Sequence, residues 1–475
     1  MMDEKTFKTY YIPDYLKKYF DYEKIEHIKN GKKIIFEYAV FKDSFFEKGF
    51  SEFEEKALLT LKNAGIDDIV NNLDEVSARV LSSDFKELKE TVEIISLMTG
   101  LTIKSVKQSI ELEFLSSRAP EMKAALKNEF FDYKAMDGFK YNENLKGRVR
   151  IIPDSPIFGI CSSNIPALPH LSIMRSFMTK NCIILKTSSG EPLFTPLYMR
   201  IFEEINSPLK DCALVICYKS DFTELTEKLI ERSNIVIAYG GVSAEKFLAP
   251  KVLWPKKLIM HAHKLGFGII GGGMYEGKNS EAAKKLIEAV AFDTVTFEQR
   301  ACLAPHVYFY NEKNNAPVNE FIDELLSELE KMELKFPLPA LAAEEIFSRK
   351  NFIDGLYFSM ENVQILETVS KKSAVICASV GEFPVSCLNR TLFVVPYKGE
   401  KEILNIITPL KKYLQNVSLN VSAYEENFWL EKIGALGVSR ICRAGKMPVP
   451  TMMWHHDGRC CLNELVKYCD YEENL

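Results

Sequence analysis

Between residues 156 and 250, short apolar runs alternate with stretches whose apolar residues return every three or four positions. PIFGICSS precedes LPHLSIMRSFMTKN, CIILKTSS precedes PLYMRIFEEI, ALVICYKS precedes FTELTEKLIERS, and NIVIAYGG precedes SAEKFLAPK. Continuous apolar runs suit strands buried on both faces, and the three-to-four spacing suits amphipathic helices, so the pattern predicts a parallel sheet covered by helices. The alternation resumes after 255 with KLIMHAH, FGIIGG, the helix EAAKKLIEAVAFDTV, the strand HVYFY and the helix VNEFIDELLSELEKM. Upstream, HIKNGKKIIFEYAVF reads as a short hairpin turning at Asn30-Gly31. SEFEEKALLTLKNAG and SDFKELKETVEIISLMTG follow as helices, each opening on a plausible cap and ending at glycine. Residues from about 133 to 160 read as extended segments with turns. The chain is therefore α/β, without an internal repeat.

Length and composition narrow the classes. At 475 residues the chain exceeds a single core, so two or three domains are expected. Net charge is −5, from 60 basic and 65 acidic residues that are well mixed, which excludes a nucleic-acid or anionic-membrane footprint. No apolar run reaches the length of a membrane span, and MMDEKTFKTYYIPDYLKKYF carries no signal-peptide core. Eleven scattered cysteines, without a CxxC pair, suit a reducing cytoplasm with free thiols.

Four stretches carry candidate chemistry. GFGIIG (266–271) fits the G-x-G-x-x-G pattern, but a strand-like run lies inside it and GGMYEG stands where a helix should begin. It therefore reads as a strand ending in a Gly-rich loop rather than a dinucleotide fingerprint. WHHDGRCC (454–461) gathers His455, His456, Asp457, Cys460 and Cys461, but adjacent histidines diverge and the spacing is not that of paired zinc ligands, so no metal is expected. In SSNIPALP, Asn164 follows a strand; its carboxamide suits either an oxyanion donor or a helix cap. Cys302, in FEQRACLAP, is either a nucleophile or a small buried side chain.

Taken in order, SSNIPALP, CIILKTSSGEPLFTPLYM, IVIAYGGV, KLIMHAHKLGFGII, EQRAC and RTLFVVPYKGEKEIL resemble the aldehyde dehydrogenase superfamily over most of the chain. SRICRAGKMPVPTMMWHHDGRCCLNELVKYCDYE and EQRACLAPH narrow the resemblance to the long-chain fatty acyl-CoA reductase family of bacterial bioluminescence operons (LuxC-like). The resemblance implies two Rossmann-like parallel-sheet domains plus an oligomerisation hairpin. Residues 1–132 and 151–255 would bind cofactor, 133–150 form the hairpin, 256–440 carry Cys302, and 441–475 return. A homo-oligomer is implied.

The resemblance also assigns roles. Cys302 falls on the catalytic thiol, a thiolate helped by bound nicotinamide and helix N-termini, and Asn164 on the oxyanion donor that works with the Cys302 N–H. Ser162, Lys186, Ser189, Gly241 and Val242 fall on cofactor positions, with Lys186 at the adenosine ribose. Hydrolytic members carry a water-activating glutamate where this chain has MHAHKLGFG, so His261 or His263 is the candidate acid/base and an acyl-cysteine would outlast hydrolysis. NAD-preferring members place a glutamate where Ser189 stands, with Glu191 two residues on; its absence favours NADPH. Glu382 is a candidate contact for the nicotinamide ribose under one alignment. His306 is either a proton donor or, on the reading preferred, part of a strand end. The expected activity is NADPH-dependent reduction of a long-chain acyl thioester, of CoA or of an acyl-protein synthetase partner, to the fatty aldehyde. The rivals are an NAD(P)-dependent aldehyde oxidiser and a non-redox acyl-carrying subunit.

Overall fold

The computed structural model describes residues 5–29, 31–82, 86–338, 341, 343–360 and 362–472. The alternating runs become a five-stranded, wholly parallel sheet in the order Lys257–His261, Ile235–Tyr239, Ile157–Ile160, Ile183–Thr187, Ala213–Cys217. Ile183–Thr187 and Ala213–Cys217 are buried at every residue, which is why they read as unbroken apolar runs. The chain runs from Ile157–Ile160 outward in one direction, then returns to build the other side from Ile235–Tyr239. The strand order therefore reverses between these two strands, and a crevice opens beyond their C-terminal ends. This sheet extends past residue 255, where the sequence reading divides the domains, because Lys257–His261 is its edge strand.

A seven-stranded sheet follows, with Leu265–Ile270 between Pro305–Asn311 and Leu414–Asn420. All its pairings are parallel except that of the edge strand Gln364–Glu367. GFGIIG is thus a strand, and its glycines serve packing. A Cβ on Gly268 would lie 2.1 Å from the Tyr308 ring, and one on Gly266 would lie 2.5 Å from the Ala304 carbonyl oxygen. The end of the loop carrying Cys302 lies against Gly266, with the Leu303 and Ala304 carbonyls where a side chain would stand.

The opening hairpin is longer than expected, pairing Phe20–Lys29 with Lys32–Phe41, and Thr6–Lys8 adds a third, parallel strand. Gly31 has φ +72°, as a hairpin turn requires, whereas Asn30 lies outside the described residues. So do residues 1–4 and Ser83, the expected cap of the helix Lys86–Thr99. Helices Phe50–Asn63 to Ala119–Glu129 share one apolar core with the first sheet. Gly147–Pro153 pairs with Lys140–Asn142 on one side and with the returning strand Val466–Glu472 on the other, forming a separate antiparallel sheet. Among the described residues no helix is long and apolar enough to cross a membrane.

Candidate active site

Where the two large sheets meet, Ile165, Phe297, Ala301, Leu303 and Ala304 form a small apolar cluster of their own, and Cys302 packs into it. The loop from helix Glu281–Val295 to strand Pro305–Asn311 is held in an unusual conformation. Phe297, Glu298 and Gln299 all take positive φ (55°, 53° and 60°), a region costly for residues with a Cβ. A second left-handed run, Leu388, Asn389 and Arg390, braces it. Asn389 N–H donates to the Glu298 carbonyl at 3.1 Å. The fully buried Arg390 donates to both Glu298 carboxylate oxygens at 2.6 and 2.9 Å and to Glu333 at 2.7 Å. Gln299 donates to the carbonyls of Pro305 and Thr391 and accepts from Thr391 N–H. This bracing fixes the thiol's direction.

Cys302 lines a mostly apolar cavity of about 60 Å³ with Ile165, Leu168, Trp454, Glu113 and Arg175 among its walls. Burial pushes the thiol up to about 12, and the charges of Asp457 and Glu113 add to the rise. Burial thus opposes the thiolate that the resemblance implies with nicotinamide bound, and reaching it takes a proton acceptor. Burial also pushes the half-buried Glu113 carboxyl up to about 7, against the pull of Arg175.

Beside the cavity stands a column of four stacked rings. Tyr239 lies 4.7 Å from His261, His261 lies 4.0 Å from His456, and His456 lies 4.5 Å from Trp454. His261 Nδ1 meets Asp457 Oδ2 at 2.8 Å, and Gln415 donates to the other carboxylate oxygen at 2.7 Å. Burial works to raise the Asp457 carboxyl, but the His261 hydrogen bond together with the charges of His456, His261 and Lys264 outweighs it, and the group is held low. Donor atoms of His261, His456 and Asp457 lie within 4.8 Å of one another, close enough to hold a cation. The sequence reading of WHHDGRCC lacked His261, which arrives from 196 residues away. The two histidines face each other in parallel planes, however, so their in-plane lone pairs run side by side rather than converging, which suits a hydrogen-bonded His–Asp pair. His455 points outward, as expected of adjacent histidines.

The remaining sequence candidates sort by sheet. Ser162, Ser189, Gly241 and His263 all lie just beyond C-terminal ends of the first sheet's strands, the ligand position of open parallel sheets. Lys186, the last residue but one of its strand, is 7% exposed and lies 4.9 Å from the Tyr218 ring, with no carboxylate partner among the described residues. Glu191 is turned inward, where its carboxylate accepts from the N–H groups of Leu193 and Phe194 at 2.8 and 2.9 Å. Val242 starts the helix Val242–Leu248, and a Cβ on Gly241 would lie 2.8 Å from His263 Nε2. His263 thus belongs with this crevice, whereas His261 belongs with Asp457. Asn164 is exposed in the loop whose next residue lines the Cys302 cavity. It is not a helix cap, because Pro166 and Pro169 delay the helix to His170. Glu382 is exposed. His306 lies on strand Pro305–Asn311, where its Nδ1 accepts from Ser386 N–H and burial pushes it down to about 4, so it is a neutral structural acceptor. Sequence reasoning missed Glu113, Arg175 and the Glu298–Arg390 brace.

A family model described as acyl-CoA reductase (LuxC) matches residues 61–468. A long-chain acyl-protein thioester reductase of Aliivibrio fischeri is 23% identical over 333 residues, covering 68% of this chain and 65% of that protein. Long-chain acyl-protein thioester reductase 2 of Photobacterium leiognathi is 22% identical with the same coverage, so the chain spans just under two thirds of these curated relatives. The reductase of Photorhabdus luminescens is 21% identical over 90% of this chain and 85% of its own. Among solved structures, salicylaldehyde dehydrogenase from Pseudomonas putida G7 superposes with a TM-score of 0.69 at 14% identity, covering 95% of each chain. The aldehyde dehydrogenase KauB from Pseudomonas aeruginosa superposes with 0.70 at 12%, covering 94% and 93%. At such identities the likeness is one of fold: the chain has the aldehyde dehydrogenase fold.

Proposed function

Because the chain belongs to the acyl-CoA reductase (LuxC) family, we propose that it reduces a long-chain fatty acyl thioester to the aldehyde with NADPH, through an acyl-Cys302 intermediate. The observation that carries this reading is the Cys302 thiol held at the wall of a mostly apolar cavity by two braced left-handed runs.

The cofactor crevice supports a dinucleotide. Lys186 is buried without a carboxylate partner among the described residues, and Gly241 stands at the switch point of the sheet. Lys186 would hold the ribose and its 2′-phosphate, with Ser162, Ser189, Gly241 and Val242 around it. Glu191 is committed to capping the next helix, so no carboxylate of that loop opposes a 2′-phosphate. Bound there, NADPH supplies the hydride.

Cys302 Sγ attacks the thioester carbonyl, and the Asn164 carboxamide and Cys302 N–H receive the oxyanion. Collapse expels the donor thiol and leaves acyl-Cys302. The apolar walls keep water from the new thioester, which is a better hydride acceptor than a carboxylate. After reduction, the thiohemiacetal releases aldehyde and restores the thiol. The donor is an acyl-CoA or an acyl group carried by a partner protein, the substrate named for the curated relatives. The sheet around Gly147–Pro153 is the surface through which copies of the chain would associate.

A second reading follows from the His261–Asp457 pair: oriented in this way, His261 could activate water and make the protein an aldehyde oxidiser. A single-turnover experiment with radiolabelled tetradecanoyl-CoA separates these. Label on the wild type but not on Cys302→Ala, discharged as aldehyde by NADPH, is the expected result. Release of free acid favours the oxidiser. Label that moves only to other thiols favours a non-redox acyl carrier, and label retained by Cys302→Ala removes the thiol from the mechanism.

A further inference from the structure

The half-buried Cys302 thiol must lose its proton before it can attack, and the cavity contains few groups able to take it. Tyr239, His456, Arg175 and Glu113 are the titratable side chains that share the cavity with Cys302 among the described residues. Arg175 is already a protonated cation with no acceptor site, and burial pushes the Tyr239 phenol up to about 12, so it stays neutral and neither takes the proton. His456 is sandwiched between Trp454 and His261, and burial and the neighbouring His261 push it well below the usual imidazole range. His261 lines the adjoining cavity instead. Asp457 is occupied by His261 and Gln415. Glu113 is different: among the described residues no hydrogen bond holds its carboxyl, and its charge is felt at Cys302.

We propose that Glu113 is the proton shuttle of Cys302, a role that rests on the acyl-Cys302 reading. In the forward step the Glu113 carboxylate takes the Sγ proton as sulfur bonds to the thioester carbon. When the tetrahedral adduct collapses and its C–S bond to the donor breaks, Glu113–H returns that proton to the departing thiolate. Proton and electron pair balance within the step, and the carboxylate is regenerated. Arg175, on helix His170–Met178, opposes full protonation of Glu113 and lies in the same cavity. Burial places the carboxyl at about 7, midway between the states it must alternate between.

The alternative, a merely electrostatic Glu113, predicts the opposite sign. Its negative charge raises the thiol, so neutralising it would ease thiolate formation and speed acylation. The test is the single-turnover acylation rate with radiolabelled tetradecanoyl-CoA as a function of pH, for the full chain carrying Glu113→Gln or Glu113→Asp. The wild-type rate is expected to rise through about pH 7, as the carboxyl ionises. Glu113→Gln is expected to lose that rise and to acylate about a hundredfold more slowly at neutral pH. An unchanged or faster Glu113→Gln rate would overturn the proposal. Glu113→Asp keeps a carboxylate and guards against a folding defect; a slowed rate that still rises near neutral pH supports the shuttle, and a flat profile overturns it. Wild-type protein that takes no label at all overturns the acyl-Cys302 reading beneath it, an outcome distinct from failure of Glu113 alone.

Discussion

Lys186 keeps its ammonium inside the fold with a tyrosine ring as its nearest charge-accepting neighbour. Three residues on, Ser189 is exposed and neutral, while Glu191 is turned inward. A carboxylate at 189 would face the same space as a 2′-phosphate, so Ser189→Glu should move the ratio of kcat/KM for NADPH over NADH down by about tenfold, or about 1.4 kcal/mol. An unchanged ratio would separate Ser189 from the ribose. His170 supports a second prediction. It stacks 4.1 Å from Phe114, meets Ser117 Oγ at 2.9 Å, and burial pushes it down to about 3. The unfolded imidazole takes up a proton near pH 6.5 while the folded one refuses it. Stability is therefore full above about 6.5 and falls by up to about 1.4 kcal/mol per pH unit on acidification toward 3. Urea midpoints measured against pH should show that slope, reduced in His170→Asn. Cys302 was legible because its neighbours spell a motif. Glu113 was not, since Glu111 and Glu113 read alike in SIELEFL, and only packing leaves the first exposed and draws the second into the cavity.

Strands and helices of the parallel sheets could be read from period alone, since their burial is nearly continuous. The left-handed runs at 297–299 and 388–390 could not. Phe, Glu, Gln and Leu avoid positive φ, so no local signal announces it; the conformation is imposed by Arg390, which reaches Glu298, Glu333 and the Phe336 carbonyl. Removing that guanidinium strands the buried Glu298 carboxylate and takes one partner from Glu333, which keeps Lys372 at 2.6 Å. Arg390→Met should cost about 3–5 kcal/mol in denaturant unfolding, and pairing it with Glu298→Gln should restore part of the loss. A loss below about 1 kcal/mol would mean that the carboxylates find other partners. The start of helix His170–Met178 is a similar case: the sequence placed Asn164 at a helix entry, but two prolines postpone it and free the loop for the cavity.

Across the whole molecule, Asp154 joins two sheets. Almost fully buried just after Gly147–Pro153, it pairs with Lys257 of the first sheet at 3.0 Å and with Lys467 of the returning strand at 2.6 Å. Asp154→Asn leaves Lys257 and Lys467 without their shared anion. It should lower the melting temperature by several degrees, and where copies of the chain associate through that sheet it should also weaken the association, read by light scattering. That this segment returned was legible from the resemblance, but what it returned to was not, because Asp154 and Lys467 lie hundreds of positions apart.

The walls around Cys302 come from widely separated parts of the chain, from Leu112 and Glu113 at one extreme to Trp454 and His456 at the other. During synthesis the thiol therefore leaves the ribosome about 150 residues before its last wall, some ten to thirty seconds at ordinary elongation rates. Over that interval it is a solvated cysteine like any other, with no enclosed cavity in which to capture an acyl group. Under the proposed reading, acyl transfer would begin only once residues 448–456 have joined the cavity wall, and fragments that stop short of Pro448 would consume neither thioester nor reducing power.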